Sequence, residues 1–320
     1  MINRSFRYFA LLFLIALALP AAAQYSGYRQ PTAGELKAQL QKLQVLGSAL
    51  YLAAHPDDEN TRLIAYLANV EKVETGYLSL TRGDGGQNLI ASDIRELLGL
   101  TRTEELLAAR RVDGGEQFFS RANDFGYSKD PDETFTIWDR DQVLADAVWV
   151  IRKFRPDVIV NRFDHRTPGS THGHHTASAI LGVEAFKLAG DPTAFPEQLK
   201  YVEVWQPRRL FFNTSWWFYG SQEAFDKADK SRLVEVDVNR YLPKRGQSVA
   251  EIAAVSRSQH KSQGFGSSGA RDASPEYLEL IEGDLPEDPT DLFGGIETTW
   301  DRVEDGAGIG RTLARIEIEF

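Results

Sequence analysis

Strands and helices alternate along most of this chain, which predicts an α/β fold: a mostly parallel sheet with helices on both faces. Three observations carry that reading. Short apolar runs at 49–54, 73–80 and 156–161 suit buried strands, segments with helical spacing lie between them, and loops follow the second and third runs. In chain order, the spacing predicts a helix at 34–46, a strand at 49–54, a helix at 60–69 and a strand at 73–80. A glycine-rich loop, 82–88, precedes a helix at 94–112 marked by Leu97, Leu98, Leu106 and Leu107, and a strand follows at 117–120. An amphipathic helix at 142–154 leads into the strand 156–161, the loop 162–173 and a helix at 174–188. Strands at 209–213 and 234–238 and a helix at 249–261 continue the pattern. After Gly264 the composition shifts to Gly, Ser, Pro and acidic residues. That shift places the end of a domain spanning 24–265 there and makes 266–320 a C-terminal extension, whose part 291–320 regains helix-compatible spacing.

A hydrophobic content of 42 % with 11 % aromatic residues in 320 residues is ample for a packed core. Arg4 and Arg7, an apolar run from Phe9 to Leu19 and the small residues Ala21, Ala22 and Ala23 have the layout of a secretory signal peptide over 1–23, so export to the periplasm or medium is expected. The absence of cysteine rules out disulfides, a thiolate nucleophile and a lipidated cysteine, so no stable membrane insertion is expected after cleavage. A net charge of −10 without a basic cluster argues against nucleic acid as a partner.

The chemistry concentrates in two loops. His55-Pro56-Asp57-Asp58-Glu59 follows the first strand, and His165, His172, His174 and His175, four of only six histidines, follow the strand at 156–161. Parallel strands end on the same side of a sheet, so the two loops can meet there. Histidine and carboxylate ligands without sulfur suit zinc with an open coordination position, and equally the iron of a facial triad. A second carboxylate beside the first favours hydrolysis, because metal-assisted hydrolysis needs a base to take a proton from water.

His55-Pro56-Asp57-Asp58-Glu59 with the downstream His172-x-x-His175 resembles the PIG-L or LmbE-like family of zinc-dependent N-deacetylases, in particular its larger exported bacterial members. The resemblance covers roughly 49–261. It implies a Rossmann-like three-layer αβα, LmbE-like deacetylase fold and an activity that removes acetyl groups from N-acetylglucosamine-type sugars or conjugates. It also implies His55, Asp58 and His175 as ligands of Zn2+ or another divalent ion such as Fe2+, Asp57 as the general base, and His172 as the group that stabilises the oxyanion. Arg102 of an Arg-x-x-Glu pair with Glu105, and Asp124 of Asp-Phe-Gly, are implied contacts to sugar hydroxyls. Asp84, in the loop 82–88, stands where many members carry a glutamate and is expected among the substrate-binding residues, and His174 is an added histidine whose role the family leaves open. Alternatives from the same residues are an amidase or esterase acting on a non-sugar acyl substrate and a non-catalytic carbohydrate-binding module.

Plainer expectations apply elsewhere. His165 reads as a solvated loop residue and His260 as structural. Arg110-Arg111 reads as a solvated helix face, and Arg102 without the resemblance as a surface partner of Glu105. The run Trp216-Trp217-Phe218-Tyr219 is expected to pack in the core or under the tail, with a sugar platform as its second reading. The loop 82–88 lacks the spacing of a phosphate-binding fingerprint and is expected to be a flexible rim.

Overall fold

A computed structural model describes residues 30–320. The signal-peptide expectation at 1–23 lies outside the described residues. In chain order the elements are α1 (Ala33–Lys42), β1 (Ser48–Ala53), α2 (Thr61–Tyr66), β2 (Glu74–Ser79), α3 (Glu96–Asp113), β3 (Glu116–Phe119), α4 (Pro131–Ile137), α5 (Arg140–Phe154), β4 (Val158–Asn161) and α6 (Gly173–Ala189). They continue with β5 (Arg209–Thr214), α7 (Gln222–Lys227), β6 (Leu233–Asp237), a small hairpin of β7 (Tyr241–Leu242) and β8 (Gln247–Ser248), α8 (Val249–Arg257), β9 (Pro275–Gly283) and α9 (Ala307–Glu319).

The seven strands of the main sheet run in the order β3-β2-β1-β4-β5-β9-β6. Pairings from β3 through β5 are parallel, whereas β9 runs antiparallel to both β5 and β6. Because successive strand residues face opposite sides, β1 and its neighbours feed two separate cores. Tyr51, Tyr77, Val160 and Phe211 pack with Leu63 and Ile64 of α2 and Ile252 of α8 on one face. Leu50, Leu78, Ile159 and Leu210 pack with Val148 and Ile151 of α5 and Leu181 of α6 on the other. The result is the three-layer α/β arrangement that the alternating pattern predicted. Among the described residues no helix is long and apolar enough to cross a membrane.

Sequence and structure part company after Gly264. Strand β9 sits inside the sheet between β5 and β6, so the boundary expected at 265 falls within the sheet-bearing unit. Leu278 and Leu280 point into the core and are essentially inaccessible, with Glu276 buried on the same face. The period-two signal was therefore present, but it follows a Gly/Ser-rich run and begins at a proline. The tail is tied back as expected: Arg302 donates to both carboxylate oxygens of Asp157 (2.8 and 2.9 Å) and to the Leu46 carbonyl (2.8 Å), and Trp300 Nε1 donates to the Leu43 carbonyl (2.8 Å).

Strand β1 pairs with β2 on one side and β4 on the other. The connections leaving β1 and β2 depart on one side of this point and that leaving β4 on the other, which opens a crevice at the carboxyl ends of the strands, where open α/β sheets bind ligands.

Candidate metal centre and cleft

The loop after β1 is a tight turn with proline at its second position. The backbone N–H of Asp58 donates to the His55 carbonyl (3.2 Å), and the Asp58 carboxylate accepts from the backbone N–H of His55 (2.7 Å). The Tyr77 hydroxyl, on the neighbouring strand, donates to the same His55 carbonyl. These bonds fix both side chains, and Asn60 then caps α2 by accepting from the backbone N–H groups of Arg62 and Leu63.

The loop after β4 brings its histidines to the same place. His55 Nδ1 lies 3.0 Å from Asp58 Oδ2, and His175 Nε2 lies 3.4 Å from Asp58 Oδ1. One ligand atom from each of His55, Asp58 and His175 falls within 4.8 Å of the others, a spacing that suits a shared metal ion. Phe163 stacks on the His175 ring at a centroid distance of 3.8 Å and holds its plane. Burial would raise the Asp58 carboxyl, but the charges of His175 and His55 and their hydrogen bonds outweigh it and hold that carboxyl well below the usual range.

His172, His174 and His55 form a second group with the same spacing. His174 is wholly buried, stacked on Trp138 and edge-on to Phe125, and itself offers no face to a substrate. Burial, followed by the three neighbouring histidines, pushes the His174 pKa down to about 2 and keeps the ring neutral. Its Nδ1 lies 3.0 Å from His55 Nε2, behind the face that His55 turns to Asp58. A histidine ligand whose far nitrogen is held in this way keeps one ring orientation. The added histidine that the sequence left without a role therefore backs His55.

His172 caps α6: its Nδ1 accepts from the His174 backbone N–H (3.0 Å), which leaves Nε2 to donate to the Gly126 carbonyl (3.0 Å). Burial, then the charges of His55 and His175, pushes its pKa down to about 4. Gly173, the first residue of α6, lies so close to the Asp130 carbonyl that a Cβ would collide with backbone, which explains glycine between the two motif histidines.

Asp57 sits beside Asp58 and lines the cleft, paired with the buried guanidinium of Arg102, which also donates to the Gly83 carbonyl (3.1 Å). Gly83 adopts a φ of +72°, and a side chain there would run into the Arg102 guanidinium. Both expected sugar contacts are buried: Arg102 is 3 % exposed and Asp124 4 %. Asp124 accepts from the Gly126 N–H (3.0 Å) and approaches His174 at 3.9 Å. Glu105 bonds the Ser262 backbone and hydroxyl (both 2.7 Å) instead of Arg102. Asp84 is half-buried behind the loop against Gly99 of α3, and burial followed by nearby Asp124 raises its carboxyl pKa.

Under the motif lies a network that sequence reasoning missed. Glu59, Arg110, Asp113 and His260 are all essentially inaccessible. Glu59 Oε1 lies 2.7 Å from His260 Nε2 and 3.3 Å from Arg110, whose guanidinium also bonds Asp113 (2.6 Å). Arg110 is thus no solvated residue, since α3 turns it inward to meet two buried carboxylates. His260 is structural, as expected.

Two cavities meet at the centre. The larger, about 750 Å3, is lined by Asp57 and Asp58 and by polar groups including Asn60, Arg62, Asn239 and Glu276. The smaller, about 500 Å3, has aromatic walls of Tyr127, Phe163, Trp217 and Phe218 and includes His172. His175, Phe163, Arg162 and Ser215 line both. Trp217, 56 % exposed, and Phe218 form cavity wall, while Phe218 and Tyr219 also pack against the core as expected.

A doubly covered, mostly parallel sheet with histidines and a carboxylate gathered at its switch point defines an α/β protein with a metal-capable centre in an open cleft. A family model described as PIG-L: GlcNAc-PI de-N-acetylase matches residues 50–186 of this chain. Among curated relatives, a protein named mycothiol S-conjugate amidase from Streptomyces coelicolor is 30 % identical over 173 residues, covering 50 % of this chain and 58 % of the relative. A protein from Thermobispora bispora named 1D-myo-inositol 2-acetamido-2-deoxy-alpha-D-glucopyranoside deacetylase is 28 % identical over 230 residues, covering 61 % of this chain and 74 % of the relative. The chain thus spans little more than half the length of the first of these relatives. Among solved structures, the N,N'-diacetylchitobiose deacetylase of Pyrococcus horikoshii aligns with a TM-score of 0.42 at 18 % identity, over 57 % of this chain and 70 % of that one.

Proposed function

We propose that this protein is a metal-dependent amide hydrolase that removes the acyl group, acetyl in the simplest case, from the nitrogen of an N-acetylglucosamine-type sugar or conjugate. The observation that carries this reading is the meeting of His55, Asp58 and His175 at the shared wall of two cavities, with a second carboxylate, Asp57, beside them. The named activities of the curated relatives support the substrate class. A divalent ion such as zinc, held by His55, Asp58 and His175, would supply Lewis acidity and bring the pKa of water towards neutrality.

The remaining steps fall to side chains. Asp57, fixed by Arg102, takes a proton from the attacking water as the new C–O bond forms. It then returns that proton to the nitrogen as the C–N bond breaks, leaving a free amine and a carboxylic acid that ionises to the carboxylate by releasing its proton to solvent. His172 turns its Nε2–H from the Gly126 carbonyl to the oxyanion. Polar groups of the larger cavity, Asn60, Arg62, Asn239 and Glu276, face the sugar hydroxyls. Export through a leader at 1–23 belongs to the same proposal, and the N-terminus of the mature protein would then read from Gln24.

His175→Ala is expected to lose bound metal and activity together. Elemental analysis of the purified variant beside the wild type measures the first, and full metal content in the variant would remove His175 from the ligand set. The function itself is tested by assaying carboxylate and amine release from N-acetylglucosamine and its conjugates, from O-acetyl sugars and from acetylated peptides. Release from the sugar amides is expected, abolished by chelator and restored by a divalent ion; release from the esters or peptides alone would replace the sugar-amide reading.

A further inference from the structure

The two cavities share Arg162, Phe163, His175 and Ser215; the smaller adds Tyr127, Trp217 and Phe218 beside Ser170 and Thr171, and the centre between them is asymmetric. Asp57 and Asp58 line only the polar cavity, His172 lines only the aromatic one, and His175 stands in both. This inference rests on the proposed amide hydrolysis. The proton that Asp57 delivers must reach the amine nitrogen, so the amine half of the substrate occupies the polar cavity, where side chains suited to hydroxyls are found. The carbonyl carbon lies at the centre, and its remaining carbon substituent then leads away from Asp57, into the aromatic cavity.

We propose that the cavity walled by Tyr127, Phe163, Trp217 and Phe218 is an acyl-side pocket, and that the enzyme takes N-acyl groups larger than acetyl. Its volume of about 500 Å3 is many times what a methyl group fills. Its walls are anchored. The Tyr127 ring packs on His172 at 4.9 Å, and Trp217 meets Phe218 at 5.0 Å, which in turn meets Phe212 of β5 at 4.8 Å. Trp217 and Tyr127 themselves remain 56 % and 73 % exposed, so large apolar faces are turned to solvent at the site until a ligand covers them.

The test compares kcat/KM for glucosamine carrying N-acetyl, N-hexanoyl or N-phenylacetyl groups, and for a disaccharide of N-acetylglucosamine, using the metal-loaded full chain. Burying each added methylene is worth up to about fourfold, so a partly covered hexanoyl chain should exceed acetyl by about tenfold. In Trp217→Ala and Tyr127→Ala the ratio of hexanoyl to acetyl should fall towards one, with unchanged thermal midpoints showing that both exposed sites tolerate the change. A hexanoyl-to-acetyl ratio at or below one in the wild type overturns the acyl pocket while leaving the amidase reading intact. A gain confined to the disaccharide and lost in Trp217→Ala also overturns it, because the aromatic wall would then hold a second sugar. Hydrolysis of none of these amides overturns both readings.

Discussion

Asp57→Asn is expected to lower kcat by about 10^2 to 10^4-fold with little change in KM, because it removes proton transfer while keeping the size and much of the hydrogen bonding of the side chain. The arrangement around Asp57 explains why a conservative change should be so costly. Arg102 is held by the Gly83 carbonyl and grips one Asp57 oxygen, while the backbone carbonyl of Asp57 accepts from Arg257 of α8 (2.6 Å). Three separate elements thus aim a single carboxylate at the cleft, a geometry suited to proton transfer between oriented groups. Asparagine retains an oxygen for Arg102 but has no basicity, so the loss should appear in the chemical step. Steady-state kinetics on the best N-acyl sugar measures it, and a kcat within tenfold of the wild type would transfer the base role to another group.

Arg110→Met is expected to lower the unfolding free energy by about 3–5 kcal/mol, the range for breaking a buried ion pair by removing one partner. Methionine fills similar space but leaves Glu59 and Asp113, both with fully buried side chains, without the guanidinium they share. Asp113 retains the Ser256 hydroxyl (2.6 Å) and Glu59 retains His260, so the network should be weakened without vanishing. Because Glu59 is the last residue of the ligand-bearing motif, metal affinity should weaken alongside stability. Urea denaturation of the metal-free and metal-loaded forms measures both effects. A change below about 1 kcal/mol would mean that the pair contributes no more than an exposed one.

The sheet was legible in the sequence wherever its strands were apolar runs bounded by turn residues, as β1, β2 and β4 are, and the central crevice followed from their parallel order. Strand β9 was not, because its Glu-Tyr-Leu-Glu-Leu pattern is half polar and follows a flexible-looking segment; only pairing with β5 and β6 turns that alternation into a buried strand. Ligand candidates were legible because histidine is scarce in this chain. Their supports were harder to read. Arg110 and Arg102 occupy helix positions where a cation is usually solvated, and only the partners brought by distant segments, Glu59 and Asp57, account for their burial. His174 shows the same limit from the other side: its neighbours in sequence leave its role open, whereas its stacking on Trp138 places it behind His55.

The account stands on two adjacent aspartates doing different work, Asp58 holding the metal and Asp57 moving the proton. Metal stoichiometry of Asp57→Asn and Asp58→Asn, measured side by side on purified protein together with turnover, separates the two directly. The account predicts full metal and lost turnover for Asp57→Asn, and lost metal for Asp58→Asn. Metal retained in Asp58→Asn and lost in Asp57→Asn would contradict it.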